Sequence, residues 1–195
     1  MGLAGMLQQA FKEWAVICEA LAQGKQALIL RKGGIAENEG EFGVEHTRFW
    51  LYPTFSHQQQ DGVQEDARPL LEQAESNRPP TGKVSLQLWA EVTGIYQLRD
   101  ELAALLLSHL HCWSEATVRQ RFNYRTPGLF LLVVRVHRVP KAHEIDESPA
   151  YVGCRSWVEL AQPLSTEGST PVLDDAGFEI VQKQLSMLLS PTAFA

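Results

Sequence analysis

The stretch Phe49-Trp50-Leu51-Tyr52-Pro53-Thr54-Phe55-Ser56-His57-Gln58 holds residue types suited to binding chemistry. A β-type run ends at Pro53 and delivers Thr54, His57 and Gln58 to a loop mouth, a common position for binding groups. An imidazole titrates near neutral pH, so His57 suits general acid–base work, with Glu37, Glu45 or His46 available to orient it. The competing expectation is that His57 and Gln58 cap a helix or satisfy buried backbone. No second catalytic group stands at a fixed spacing, so binding or structure is favoured over catalysis and no catalytic residue is assigned. His109-Leu110-His111-Cys112 has metal-binding residue types. Residues two apart on a helix point to different faces, so these histidines do not grip one ion, and no metal or cofactor is expected.

Charge adds a second theme. The net charge is −6, so the chain as a whole is not an electrostatic nucleic-acid binder. Its basic residues are clustered, however. Between Thr117 and His143 stand Arg119, Arg121, Arg125, Arg135, Arg138 and Lys141, with no Asp or Glu among them. Interleaved with Phe122 and Tyr124, they suit tracking a phosphate backbone and stacking on bases. Lys25, Arg31 and Lys32 form a smaller cluster beside Gly33-Gly34. The opposing expectation is a solvated face whose arginines pair with acids from elsewhere. Convergence of the two clusters in space favours the nucleic-acid reading.

The elements that must position these residues follow from periodicity and turn chemistry. Residues 6–22 carry apolar side chains at helical spacing and stop at Gly24. Gln26 to Leu30 reads as a strand, followed by a Gly33-Gly34 hairpin and a second strand over Phe42–Leu51, closed by Pro53. Residues 58–82 form a polar loop with a short acidic helix between Asp61 and Ala74. Val84 to Val92 alternates as a strand, Leu98–Leu110 is an apolar helix, and Ser114 caps another through Phe122. Leu129–Val139 is a β-branched central strand and Cys154–Leu160 a short one. Asp174 caps a last amphipathic helix ending at Leu189. This order predicts one α+β domain over 1–195, with a mixed or mainly antiparallel sheet, or a partly open barrel, flanked by about five helices.

Several classes are excluded. No phosphate-binding Gly-Lys-Ser/Thr loop, dinucleotide fingerprint, His-Glu-x-x-His or nucleophile elbow is present. No apolar run approaches the ~18 residues of a membrane helix. The opening MGLAGMLQQAFKEW has neither the basic leader nor the apolar core of a secretory signal. Cys18, Cys112 and Cys154 are odd in number and widely spaced, so they are expected as reduced, mostly buried thiols of a cytoplasmic protein.

Together, Phe11-Lys12-Glu13-Trp14-Ala15, the Ala27–Ile35 stretch ALILRKGGI, Phe49–Gln58, Arg135-Val136-His137-Arg138 and Tyr151–Val158 closely resemble domain-of-unknown-function family 1802 of bacteria and archaea, common in cyanobacteria. The resemblance spans roughly residues 8 to 185 of the chain. It implies no established activity. Some relatives are joined to a predicted restriction-type endonuclease domain, which implies a part in DNA recognition or restriction–modification and a nuclease as partner. Arg31, Lys32, Glu37, His57 and Arg135 transfer as candidate site residues without assigned chemistry. Separately, Gly24-x-Gln26-x-x-Ile29-x-Arg31 has the spacing of the Gly-x-Lys-x-x-Glu-x-Arg motif of small RNA-binding domains related to the pseudouridine-synthase accessory fold. Gly24 and Arg31 match it, whereas Gln26 and Ile29 depart.

Three functions are therefore weighed. The first is a nucleic-acid-associated module using Lys25, Arg119, Arg121, Tyr124, Arg125, Arg135 and Arg138. The second is an enzyme or binding protein for a small phosphorylated ligand, centred on Arg31, Lys32, Glu37, His46, Thr54, His57 and Gln58. The third is a protein-interaction scaffold. The first is ranked ahead, and Arg31→Ala is expected to leave the fold intact while impairing function.

Overall fold

Two long strands rich in aliphatic and β-branched residues organise the sheet. They are β6 (Lys83–Leu98) and β7 (Leu129–Asp146), paired antiparallel along nearly their whole length. In this computed structural model, residues 5–32, 35–38, 41–56, 58–153 and 155–189 are described. The sheet order is β2 (Leu28–Arg31), β7, β6, β5 (Arg48–Thr54), β1 (Met6–Trp14), β8 (Trp157–Ser165), with the short β9 (Thr170–Pro171) also on β7. Only β1 and β5 run parallel; the other pairs are antiparallel. Register shifts in β6 near Leu88 and Gly94 bend the long ribbon, as bulges do. β3 (Ile35–Asn38) and β4 (Glu41–Val44) make a separate hairpin.

The sheet is mixed, mainly antiparallel and not closed: β2 and β8 stand at opposite ends of the strand order. Among the described residues five α-helices flank it: α1 (Ala15–Ala22), α2 (Arg68–Ser76), α3 (Glu101–Leu106), α4 (Glu115–Asn123) and α5 (Asp175–Leu189). The larger core packs the helices against Phe11, Leu28, Leu30, Phe49 and Leu51. The other face buries Trp50, Tyr52, Leu86, Trp89 and Leu160.

The expected helix over 6–22 is half right. Residues 6–14 are a strand, and the helix begins at Ala15. Ala10 lies in one core and Phe11 in the other, so β1 is covered on both faces. A doubly buried strand lacks the alternation that separates strand from helix, and its apolar residues fell into phase with the true helix that follows. The expected Gly33-Gly34 turn lies outside the described residues, and β2 pairs with β7 instead of with the strand after it. The expected strand over 42–51 divides between β4 and β5, and the polar 58–82 segment contains α2.

Helix boundaries were more legible. Gly24 has φ +67, which favours glycine, and a Cβ there would sit 2.7 Å from Leu173 Cδ2, so the Leu173 side chain would have to shift. Ser114 Oγ accepts from Thr117 N (3.3 Å) and donates to Asp61 O (2.7 Å), capping α4 and tying it to the preceding loop. Ser114→Ala is expected to lower stability by about 1 kcal/mol. An unchanged urea midpoint would show that the cap contributes nothing.

Candidate functional site

β2 ends at Arg31, and this side chain spans the gap to the far end of the sheet. Its Nη2 donates to Ser156 Oγ (2.5 Å) just before β8, and its Nη1 to Glu13 Oε2 and Lys12 O, both at 3.4 Å. The guanidinium lies over the Phe11 ring, 4.5 Å from its centroid. Phe11 packs on Phe49 and against the edge of Trp157, and His46 packs on Trp157 at 5.2 Å. The Glu13 side chain is 1% exposed, and its Oε1 accepts from Trp14 N. Thr54 Oγ1 donates to Glu13 O (3.0 Å). Three of the expected ligand-site residues, Arg31, His46 and Thr54, thus gather around Glu13 and Trp157.

A second guanidinium joins them. Arg121 lies over the rings of Trp14 (4.7 Å) and Trp113 (5.0 Å) and donates to Leu30 O (3.2 Å). Burial pulls its pKa down, the Glu13 carboxylate opposes that, and the neighbouring Arg31 charge adds to it. An arginine remains a cation under such pressure, and among the described residues only Arg31 is ion-paired with Glu13, so this cluster of two guanidiniums and one carboxylate carries a surplus positive charge. Sequence reasoning missed Glu13; its only signal was its place in the Phe11–Ala15 motif.

Next to this cluster the two basic segments meet. Lys32 Nζ donates to Phe122 O (3.0 Å), Thr126 O and Gly128 O (2.7 Å), tying the end of β2 to the turn after α4. In that turn Tyr124 is 56% exposed, with the Arg125 guanidinium 5.1 Å from its ring centroid. Arg125 has φ +62, the only positive φ outside glycine among the described residues. Holding an arginine there costs about 1–2 kcal/mol, so the turn presents this side chain against its backbone preference.

The remaining candidates are dispersed. Lys25 precedes β2 and lies at the opposite end from Arg31, as do Arg135 and Arg138 on β7, since Leu28 pairs with Val133 and Arg31 with Phe130. Arg135 is bonded to Asp175 and lies over the Phe178 ring. Arg119 pairs with Glu115 and Glu101. Gln58 Oε1 accepts from Val16 N (3.1 Å) and its Nε2 donates to Glu75 (2.8 Å), so it caps α1 and tethers α2. Glu45 stands 3.7 Å from His46. His57 and the Glu37 side chain lie outside the described residues. Gln26 is buried, donating to Leu28 O and accepting from Cys112 N, which is a structural use of that position.

Cys18 and Cys112 are free and buried, and burial raises both thiols, Cys112 to about 11. Both are therefore poor nucleophiles. Among the described residues no three His, Cys, Asp or Glu side chains converge on a metal position, and no helix is long and apolar enough to cross a membrane.

Fold and site together define an α+β module with an open mixed sheet in which Arg31 at the end of β2 reaches Glu13 on β1 and Ser156 just before β8. The chain belongs to the domain of unknown function family DUF1802, whose model matches residues 10–184. Among curated proteins no sequence relative matches it. Among solved structures it is similar to ASCH from Zymomonas mobilis, at 13% identity over 90% of this chain and 93% of that one, with a TM-score of 0.46. A point variant of that protein is similar at 14% identity over 92% and 94%, with a TM-score of 0.43.

Proposed function

We propose that the chain is a nucleic-acid-associated binding module that meets a single strand at the end of β2 and the turn after α4. The observation that carries this reading is the exposed Tyr124–Arg125 pair, set beside Lys32 and Arg121, whose donors the fold uses but whose charges add to the local positive potential. A phosphate backbone answers to the cations, and the Tyr124 ring offers a platform on which a base stacks. The family-level link to restriction-type nucleases agrees with such a role, with the nuclease supplied by a partner.

Fluorescence anisotropy with short single- and double-stranded DNA and RNA at about 50 and 200 mM salt tests the reading. Single strands are expected to bind at micromolar or tighter affinity, weakening steeply with salt. Tyr124→Ala is expected to cost about 1–3 kcal/mol of that affinity through lost stacking. Arg125→Ala is expected to reduce the salt slope by about one. No binding at the lower salt, or binding indifferent to both substitutions, would remove the proposal.

A further inference from the structure

A groove of about 390 Å³ lies between α1, α2, β5 and β6 and shares no lining residue with the Arg31 cluster. Its apolar floor includes Leu51, Phe55 and Leu88, and its polar lining is Glu19, Gln73, Asn77, Ser85, Gln87 and Arg138. That volume falls in the range of small-molecule sites, as does the mixture of apolar floor and a few polar groups.

Two charges distinguish this groove. Arg138 is half-buried, donating to Ala22 O (2.7 Å) and Gln87 Oε1 (3.4 Å), and both partners are neutral. Glu19 is also half-buried, and its one hydrogen bond is from Gln23 Nε2 (3.0 Å). Among the described residues neither side chain is in an ion pair, whereas Arg31, Arg119 and Arg135 all are. Both charges are fixed along α1. Glu19 stands on it, and Arg138 is held by the carbonyl of Ala22, its last residue.

We infer that this groove binds a small zwitterion of the α-amino-acid type, with its carboxylate on Arg138, its ammonium on Glu19 and an apolar side chain over Leu51, Phe55 and Leu88. A half-buried charge without a counter-ion gains from a ligand that supplies one, and here both signs line one groove. A phosphate fits poorly. It would meet a single guanidinium beside the Glu19 carboxylate and the carbonyl end of α1, both of which repel a dianion. The amides of Gln73, Asn77 and Gln87 supply further donors and acceptors at the rim.

Calorimetric titration of the full chain with leucine and phenylalanine tests this, alongside N-acetylphenylalanine, phenylalaninamide, inorganic phosphate and adenosine monophosphate. The free amino acids are expected to bind, and each blocked derivative to bind about tenfold more weakly. R138Q keeps a donor for Ala22 O and is expected to lose the preference for phenylalanine over its amide. E19Q, a change on a helix surface, is expected to lose the preference over the N-acetyl form, which keeps the test open should R138Q fold poorly. Absence of amino-acid binding, equal affinity for blocked and free forms, or tighter binding of phosphate or the nucleotide would each overturn the assignment.

Discussion

Arg31→Ala is expected to destabilise the fold by about 3 kcal/mol, the scale for removing one partner of a buried ion pair. The side chain left behind is Glu13, whose carboxylate is 1% exposed and otherwise receives a single backbone hydrogen bond from Trp14. The loss also removes the link from the end of β2 to Ser156 and the cation over Phe11. This reverses the expectation drawn from sequence that the fold would survive untouched. Adding Glu13→Gln to Arg31→Ala should recover more than half of the lost stability, since a neutral amide needs no counter-charge. Arg31→Lys should fall between, because an ammonium keeps the charge but not the fork that reaches Ser156 and Glu13 together. Urea midpoints of the four proteins decide the matter. A wild-type midpoint for Arg31→Ala would mean that the ion pair contributes nothing, and Arg31 would return to the ligand-binding candidates.

Much of the architecture was legible because it rests on local chemistry. Ser114, Asp174 and Gly24 mark helix ends through caps and a left-handed turn, and each acts where its type predicts: Asp174 Oδ1 accepts from Gly177 N at 2.7 Å. The β-branched run in β7 could hardly be anything but a central strand. β1 was not legible, because burial on both faces erases the signal that marks a strand. Pairing partners were not legible either. Nothing local in ALILRKGGI says that Arg31 will sit opposite Phe130 and reach across to Ser156, 125 residues away.

The candidate site divides in the same way. Residue type marked Arg31, Lys32, Arg121, Tyr124 and Arg125, but not which of them the fold would consume. Arg31 and Lys32 spend their donors on Glu13, Ser156 and four carbonyls, so substituting them tests folding as much as binding. Arg125 and Tyr124 are exposed and carry no comparable structural duty, which makes them the cleaner probes of nucleic-acid contact. Glu13 was hidden for the opposite reason. A lone glutamate between Lys12 and Trp14 looks like surface, and only the long-range contact with Arg31 reveals that it is buried.

His111 should make the protein acid-labile well above the range in which carboxylates ordinarily titrate. Its ring is buried, and among the described residues neither ring nitrogen nor the indole N–H of the neighbouring Trp113 makes a well-formed hydrogen bond. Burial lowers its pKa to about 4; backbone groups of His111 and Trp113 near the ring oppose that, and the nearby charges of Arg121 and His109 push the same way as burial. An unfolded histidine titrates near 6.5, so between those values the unfolded chain holds the extra proton and stability falls as pH falls. Above about pH 6.5 the contribution is complete; by about pH 4 it is gone, a loss on the order of 3 kcal/mol. Burial also lowers the His137 pKa, adding a smaller loss of the same sign. His111→Leu removes two buried ring nitrogens that make no well-formed hydrogen bond and puts an apolar side chain in their place. The variant should match or exceed wild-type stability at pH 7.5 and lose far less on acidification to pH 4.5, as read from urea midpoints. Parallel pH profiles for the two proteins would show that His111 is not the group that titrates.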